Sequence, residues 1–177
     1  MKRRLAIVGA GRIGAPVLAA ELPGWQVVGV LVRQAADRPE PFTSDLDEFL
    51  AKQPDLIVEL AGPAALAAVG ERCLAIADVW TVSPAALADA AVAARLESAA
   101  RASGHRLRIL PGAFAGLDGV SAASAAGGAS LHLDIDLMPG PGPAELRFSG
   151  TVREAAARYP NAVNIAVAAA LAGPGLD

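Results

Sequence analysis

The sequence predicts an α/β protein, a doubly wound parallel sheet followed by a smaller, incomplete α+β domain, and three observations predict it. An apolar run, Leu5-Ala6-Ile7-Val8, leads straight into Gly9-Ala10-Gly11-Arg12-Ile13-Gly14. From there to Leu110, apolar β-type runs alternate with Ala-rich stretches of helical length, the βαβ rhythm of a parallel sheet covered on both faces. Beyond Leu110 the pattern changes: Leu131-His132-Leu133-Asp134-Ile135-Asp136-Leu137 alternates with period two, as an antiparallel strand with one wet face does.

The first element carries the most chemistry. A strand delivered into G-x-G-x-x-G and then into a helix is the fingerprint of a Rossmann dinucleotide-binding unit. Gly9 serves the tight turn, Gly11 lets backbone approach a pyrophosphate, and Gly14 lets helix pack on strand. Arg12 and Ile13 complete the loop, and the N–H groups at the helix start face the anion. With 18 glycines in the chain, a plain structural turn is the competing reading.

Composition narrows the rest. At 177 residues and 54% hydrophobic, the chain can bury a proper core in one domain and part of a second. A net charge of −3 provides no basic field, so neither nucleic acid nor an anionic membrane surface is expected as a partner. The single cysteine, Cys73, cannot form an internal disulfide; it reads as a small buried hydrophobe in a reducing cytoplasm. Lys2-Arg3-Arg4 precedes an apolar stretch that glycines and Arg12 interrupt too early for a signal peptide or a membrane span.

The elements follow in order. A helix is expected from Arg12 to Leu22, with Pro16 tolerated in its first turns and Pro23-Gly24 stopping it. A strand spans Val27 to Val32, and after a Pro-rich, charged loop Ser44 and Asp47 resemble a capping box for a short helix to Lys52. Leu56 to Leu60 is the next strand, Gly62-Pro63 opens a helix, and Val79 to Val82 is a short strand. Ser83-Pro84 offers an N-cap with proline at N1 for a long helix ending at Gly104, and Leu107 to Leu110 is the fifth strand. A small-residue helix then follows Pro111. A Gly/Pro turn over Met138 to Pro143 separates the alternating strand from Leu146-Arg147-Phe148. Thr151 and Glu154 form a capping box for a helix to Tyr159, Pro160 breaks it, and an apolar helix runs from Ala162 to Ala172. The expected division is 1–111 for the dinucleotide-binding domain and 112–177 for a partial catalytic and dimerisation domain. Two strands are too few for an independent sheet, and the apolar surface around Ala162 to Leu171 points to self-association, a dimer in the simplest case.

Several segments occur together in a recognisable order: the Gly9 to Gly14 loop, Val58-Glu59-Leu60-Ala61-Gly62, Ala86-Leu87-Ala88-Asp89, Gly112-Ala113-Phe114-Ala115-Gly116-Leu117-Asp118, and Tyr159-Pro160-Asn161-Ala162-Val163-Asn164-Ile165-Ala166. In this the whole chain resembles the L-aspartate dehydrogenases. The resemblance implies oxidation of L-aspartate to iminoaspartate with NAD or NADP, in service of NAD biosynthesis. It also implies Ala61, Gly62, Ala113 and Asn164 as cofactor-binding positions, with the last two at the nicotinamide. The family's catalytic histidine lies further along than Asp177, where this sequence ends. No catalytic residue is assigned, and weak aspartate turnover is expected of this chain.

The remaining candidates read mostly as structure. His105 sits in a polar turn, and His132 shares a wet strand face with Asp134 and Asp136, a solvated stripe and not a metal set. Tyr159 is the nearest substitute for a proton-transfer group, though it reads better as a packing residue. Where an NAD-preferring site ends its second strand with an acid, this chain has Leu31-Val32-Arg33-Gln34. Arg33 can clamp a 2′-phosphate, with Arg12 nearby, or be a solvated or adenine-stacking arginine. Two functional classes stand: an NAD(P)-dependent dehydrogenase acting on a small amino acid, and a non-catalytic dinucleotide-binding or assembly module.

Overall fold

The computed structural model describes residues 1–35, 38–134 and 148–177. They form two compact units, Met1–Leu110 and Pro111–Asp177. The first contains a six-stranded sheet, all parallel: β1 (Arg3–Val8), β2 (Trp25–Leu31), β3 (Phe42–Thr43), β4 (Leu56–Glu59), β5 (Asp78–Thr81) and β6 (Leu107–Ile109). Their order across the sheet is β3-β2-β1-β4-β5-β6. The chain fills one side of β1 first and then crosses to the other, so the strand order reverses between β1 and β4. In open α/β sheets ligands bind in the crevice at that switch point, outside the carboxyl ends of the strands.

Alternation along the central strands feeds two cores. Ala6, Val8, Ile57 and Val79 face one side, where Phe49, Leu66, Leu74 and Leu96 come down from α2 (Leu46–Ala51), α3 (Pro63–Leu74) and α4 (Ala90–Ser103). Leu5, Ile7, Leu56 and Leu60 face the other, where Val17 and Leu18 of α1 (Gly14–Ala19) meet them. Strands buried on both faces explain why β1 and β4 are read as continuous apolar runs.

Local differences from the sequence reading have local causes. α1 stops at Ala19, short of Leu22, because the chain turns through Leu22–Gly24 to bring Trp25 beside Arg3, with Arg3 N–H donating to Gly24 O at 2.9 Å. β3 was not expected; Val30 and Val32 N–H hold it by donating to Pro41 O and Thr43 O. The cap of α2 is Asp45 and not Ser44: its Oδ1 accepts from Asp47 and Glu48 N–H at 2.7 and 3.1 Å. Ser83-Pro84 opens a 3-10 turn, Pro84–Ala88, instead of the long helix, and Asp89 caps α4 by accepting from Ala91 and Val92 N–H. Gly62-Pro63 does start α3, with proline at N1.

The second unit contains α5 (Leu117–Ala125), α6 (Val152–Arg158) and α7 (Asn164–Ala172), with α5 and α6 both packed on α7. The predicted capping box is present: Glu154 N–H donates to Thr151 Oγ1 and Thr151 N–H to Glu154 Oε2. Leu131–Asp134 keep the alternating exposure of the predicted strand but are irregular, as is Phe148; Ile135–Leu137, the Met138–Pro143 turn and Leu146–Arg147 lie outside the described residues. α7 corrects the argument for self-association, since Ala166–Ala170 are already buried within the single chain and leave no open apolar face along them.

Candidate dinucleotide site

The candidate site is built at the carboxyl end of β1. Gly9 leaves the strand at φ +97°, a left-handed conformation that side chains resist, while its N–H still donates to Leu31 O at 2.8 Å. The three glycines differ in what surrounds them. A methyl on Gly9 would lie 2.7 Å from Ala61 Cβ, and one on Gly14 would collide with Gly9 O, so both positions are closed by protein. A methyl on Gly11 would meet no protein atom within 4 Å. A pyrophosphate needs that combination: a turn locked from beneath and a bare backbone facing outward. Gly11, Arg12 and Ile13 are exposed, and the N–H groups of Gly11 and Arg12 have no backbone acceptor among the described residues. α1 is under two turns long, so the exposed turn, more than a helix dipole, provides the donors.

Arg12 and Arg33 are both exposed and form no ion pair among the described residues. Arg33 follows the end of β2, where the second strand of such a sheet meets the adenosine ribose. No carboxylate stands in that position, and Glu59 does not replace it. Glu59 closes β4 and is 1% exposed. Its Oε1 accepts from Ala61 N–H at 2.7 Å and Gly62 N–H at 2.8 Å, and its Oε2 accepts from Thr81 Oγ1 at 2.5 Å. The N–H groups of Ala61 and Gly62 are therefore committed inward. Ala61 is exposed and Gly62 half-buried, the latter at φ +118° as it enters α3. The sequence reading missed Glu59's part in this; the one signal was an acid within the apolar run Leu56–Leu60.

His105 is half-buried, and its Nδ1–H donates to Leu74 O at 2.7 Å, at the amino-terminal edge of the sheet. His132 is exposed, with Nε2 3.9 Å from Asp134 Oδ2. Tyr159 packs edge-on to Phe148, ring centroids 6.0 Å apart, under the Arg158 guanidinium. Cys73 is buried in α3, and burial pushes its thiol up to about 12, so it is protonated and inert at neutral pH. In the second unit Ala113 is exposed and Asn164 opens α7, half-buried. Among the described residues no cluster of metal-ligating side chains occurs, and no helix is long and apolar enough to cross a membrane.

A doubly wound sheet of this order with a bare glycine turn at its switch point defines the class of NAD(P)-binding domains. The comparisons agree. Residues 9–110 match the family described as homoserine dehydrogenase, NAD binding domain, and residues 114–177 match that described as aspartate dehydrogenase, C-terminal. The chain is 40% identical to an L-aspartate dehydrogenase of Ruegeria pomeroyi, over 98% of its own length and 71% of that protein's. It is 39% identical to L-aspartate dehydrogenase 1 of Bordetella pertussis, over 98% and 73%. In fold it is similar to the crystal structure of aspartate dehydrogenase from Thermotoga maritima, with a TM-score of 0.73 at 22% identity, covering 97% of this chain and 74% of that one. The chain belongs to the L-aspartate dehydrogenase family.

Proposed function

We propose that this chain is an NAD(P)-dependent oxidoreductase that converts L-aspartate to iminoaspartate, a product that feeds NAD biosynthesis. The observation that supports this best is the contrast between Gly9 and Gly14, closed against protein, and Gly11, open to a ligand. In this reading residues 1–111 hold the dinucleotide, with the pyrophosphate over Gly11 and Arg12, Ile13 completing the turn, Ala61 and Gly62 bordering it, and Arg33 at the adenosine ribose. Residues 112–177 belong to a partial catalytic and dimerisation domain, in which the family resemblance assigns Ala113 and Asn164 to the nicotinamide. The bound cofactor supplies the hydride acceptor; the chain's residues bind and orient it. Arg33 suits a 2′-phosphate, so NADP binds at least as well as NAD. A cytoplasmic dimer is part of the same proposal, in keeping with the family and with a buried, unpaired thiol.

A second reading, a dinucleotide-binding module without turnover, has its own observation. Loss of hydride from an α-amino carbon needs a base for the ammonium proton, a contribution of roughly 10²–10⁴ in rate. Of the two histidines, His105 is engaged at the amino-terminal edge of the sheet and His132 is paired loosely with Asp134 in solvent. In this second reading the chain binds cofactor with weak aspartate oxidation. Calorimetry with NAD and NADP, followed by absorbance of the reduced cofactor on adding L-aspartate, separates the readings. Turnover on the order of 10 s⁻¹, typical of enzymes, establishes the dehydrogenase and reassigns proton transfer, with Tyr159 the first candidate. Binding without turnover favours the module, and absence of binding removes both.

A further inference from the structure

A glutamate buried to this degree is rare unless its charge is paired or fully hydrogen-bonded, because desolvating a carboxylate is costly. Its neighbours on the same sheet face, Val8, Ile57 and Val79, are apolar, and an aliphatic residue at position 59 would satisfy the core equally well. The carboxylate at Glu59 instead accepts three hydrogen bonds, each strengthened by its charge. All three lead to loops at the carboxyl edge of the sheet. Oε1 fixes the N–H groups of Ala61 and Gly62, the turn after β4. Ala61 in turn lies against Gly9, so its position sets the floor of the turn after β1. Oε2 accepts a hydrogen bond from the Thr81 hydroxyl, and Thr81 Oγ1 accepts from Ser83 N–H at 2.9 Å, fixing the turn after β5. The register permits this, since Val8, Glu59 and Thr81 stand side by side at the ends of β1, β4 and β5.

We propose that Glu59 is a positioning residue for the dinucleotide: one buried carboxylate holds the turns after β4 and β5 and, through Ala61, supports the glycine turn that receives the pyrophosphate. The inference rests on the dinucleotide reading of the Gly9–Gly14 turn. It assigns Glu59 no contact with the ligand. Its effect falls on the pyrophosphate and on the half of the cofactor that crosses β1 toward β4 and β5, and least on the adenosine over β2.

The test compares NAD with AMP, which carries the adenosine half and a single phosphate, by calorimetry on the full chain and on Glu59→Gln, Thr81→Val and Thr81→Ser, with melting temperatures recorded. Glu59→Gln is expected to weaken NAD binding about tenfold, on the scale of a charge-assisted bond exchanged for neutral ones, and AMP, which meets the turn through one phosphate only, by a smaller factor. Thr81→Val is expected to weaken NAD by a smaller factor in the same selective manner, and Thr81→Ser, which keeps the hydroxyl, to restore the parent affinity. If Glu59→Gln does not fold, the Thr81 pair carries the comparison. Equal losses for NAD and AMP would make Glu59 a general stabiliser and overturn the proposal, as would unchanged NAD affinity in the folded variants. A parent chain that binds no NAD overturns the dinucleotide reading itself and this inference with it.

Discussion

Ala61 lies so close to Gly9 that a methyl group on Gly9 would come within 2.7 Å of the Ala61 Cβ and 2.9 Å of its backbone nitrogen. The turns after β1 and β4 are thus locked to each other by the absence of one side chain. Gly9→Ala is expected to lower stability by about 1–3 kcal/mol, since it adds both a left-handed strain and an overlap that backbone atoms cannot relieve. Chemical denaturation of the variant checks this, with Gly24→Ala, left-handed but unobstructed, as the control for the conformational part alone.

Gly11 predicts the opposite pairing of effects. With nothing within 4 Å of its added Cβ and a backbone outside the left-handed region, Gly11→Val should melt at the temperature of the parent. Its side chain would occupy the place of the pyrophosphate, and NAD affinity should fall by more than about tenfold, or 1.4 kcal/mol. Calorimetry showing parent affinity would move the cofactor to another site.

Arg33 tests cofactor choice. A charge-assisted contact with a 2′-phosphate contributes about 1.5–3 kcal/mol, so Arg33→Ala should reduce the NADP to NAD affinity ratio by about tenfold or more and leave NAD nearly unaffected. An unchanged ratio would make Arg33 a solvated arginine.

Cys73 gives a pH dependence of known sign. In the unfolded chain its thiol ionises near the ordinary value of 9.0, whereas burial raises it to about 12 in the folded state. The folded state therefore holds its proton more tightly. The stability associated with the buried neutral thiol is complete below pH 9 and is lost as pH rises from there toward 12. A Cys73→Ala variant, less stable overall for want of a buried sulfur, should show a flatter decline over that interval, measured by urea denaturation. A thiol reagent at pH 8 should label the parent only on unfolding.

What could be read in the sequence follows from how local each cause is. The strands announced themselves because burial on both faces makes Leu5–Val8 and Leu56–Ile57 apolar residue by residue, and α3 and α6 did so through Pro63 and the Thr151–Glu154 box, signals contained within a few positions. The strand Phe42–Thr43 is too short to show a period and exists only because β2 offers it hydrogen bonds. Ser83-Pro84 has the composition of a helix start, yet it is spent on a 3-10 turn whose placement depends on Thr81. At the candidate site, the glycines were legible because six consecutive residues, Gly9–Gly14, contain the whole pattern. Glu59 was not: its partner Thr81 is 22 residues away, and only the parallel register brings them together.

The opposite edge of the sheet is fastened by a different set of bonds. The Arg4 guanidinium donates to Lys52 O and Gln53 O, Arg4 N–H donates to Asp55 Oδ2 at 2.6 Å, Arg106 N–H to Asp78 Oδ1 at 2.9 Å, and His105 to Leu74 O. Because every strand is parallel, each such clip lies where a strand begins, whereas the turns at Gly9–Gly14 and Gly62 lie where β1 and β4 end. The two ends can accordingly accept mutations independently. A lineage carrying this sheet can rebuild the loops at its carboxyl end without loosening the clips at the base, and can harden the base against heat without disturbing the loops.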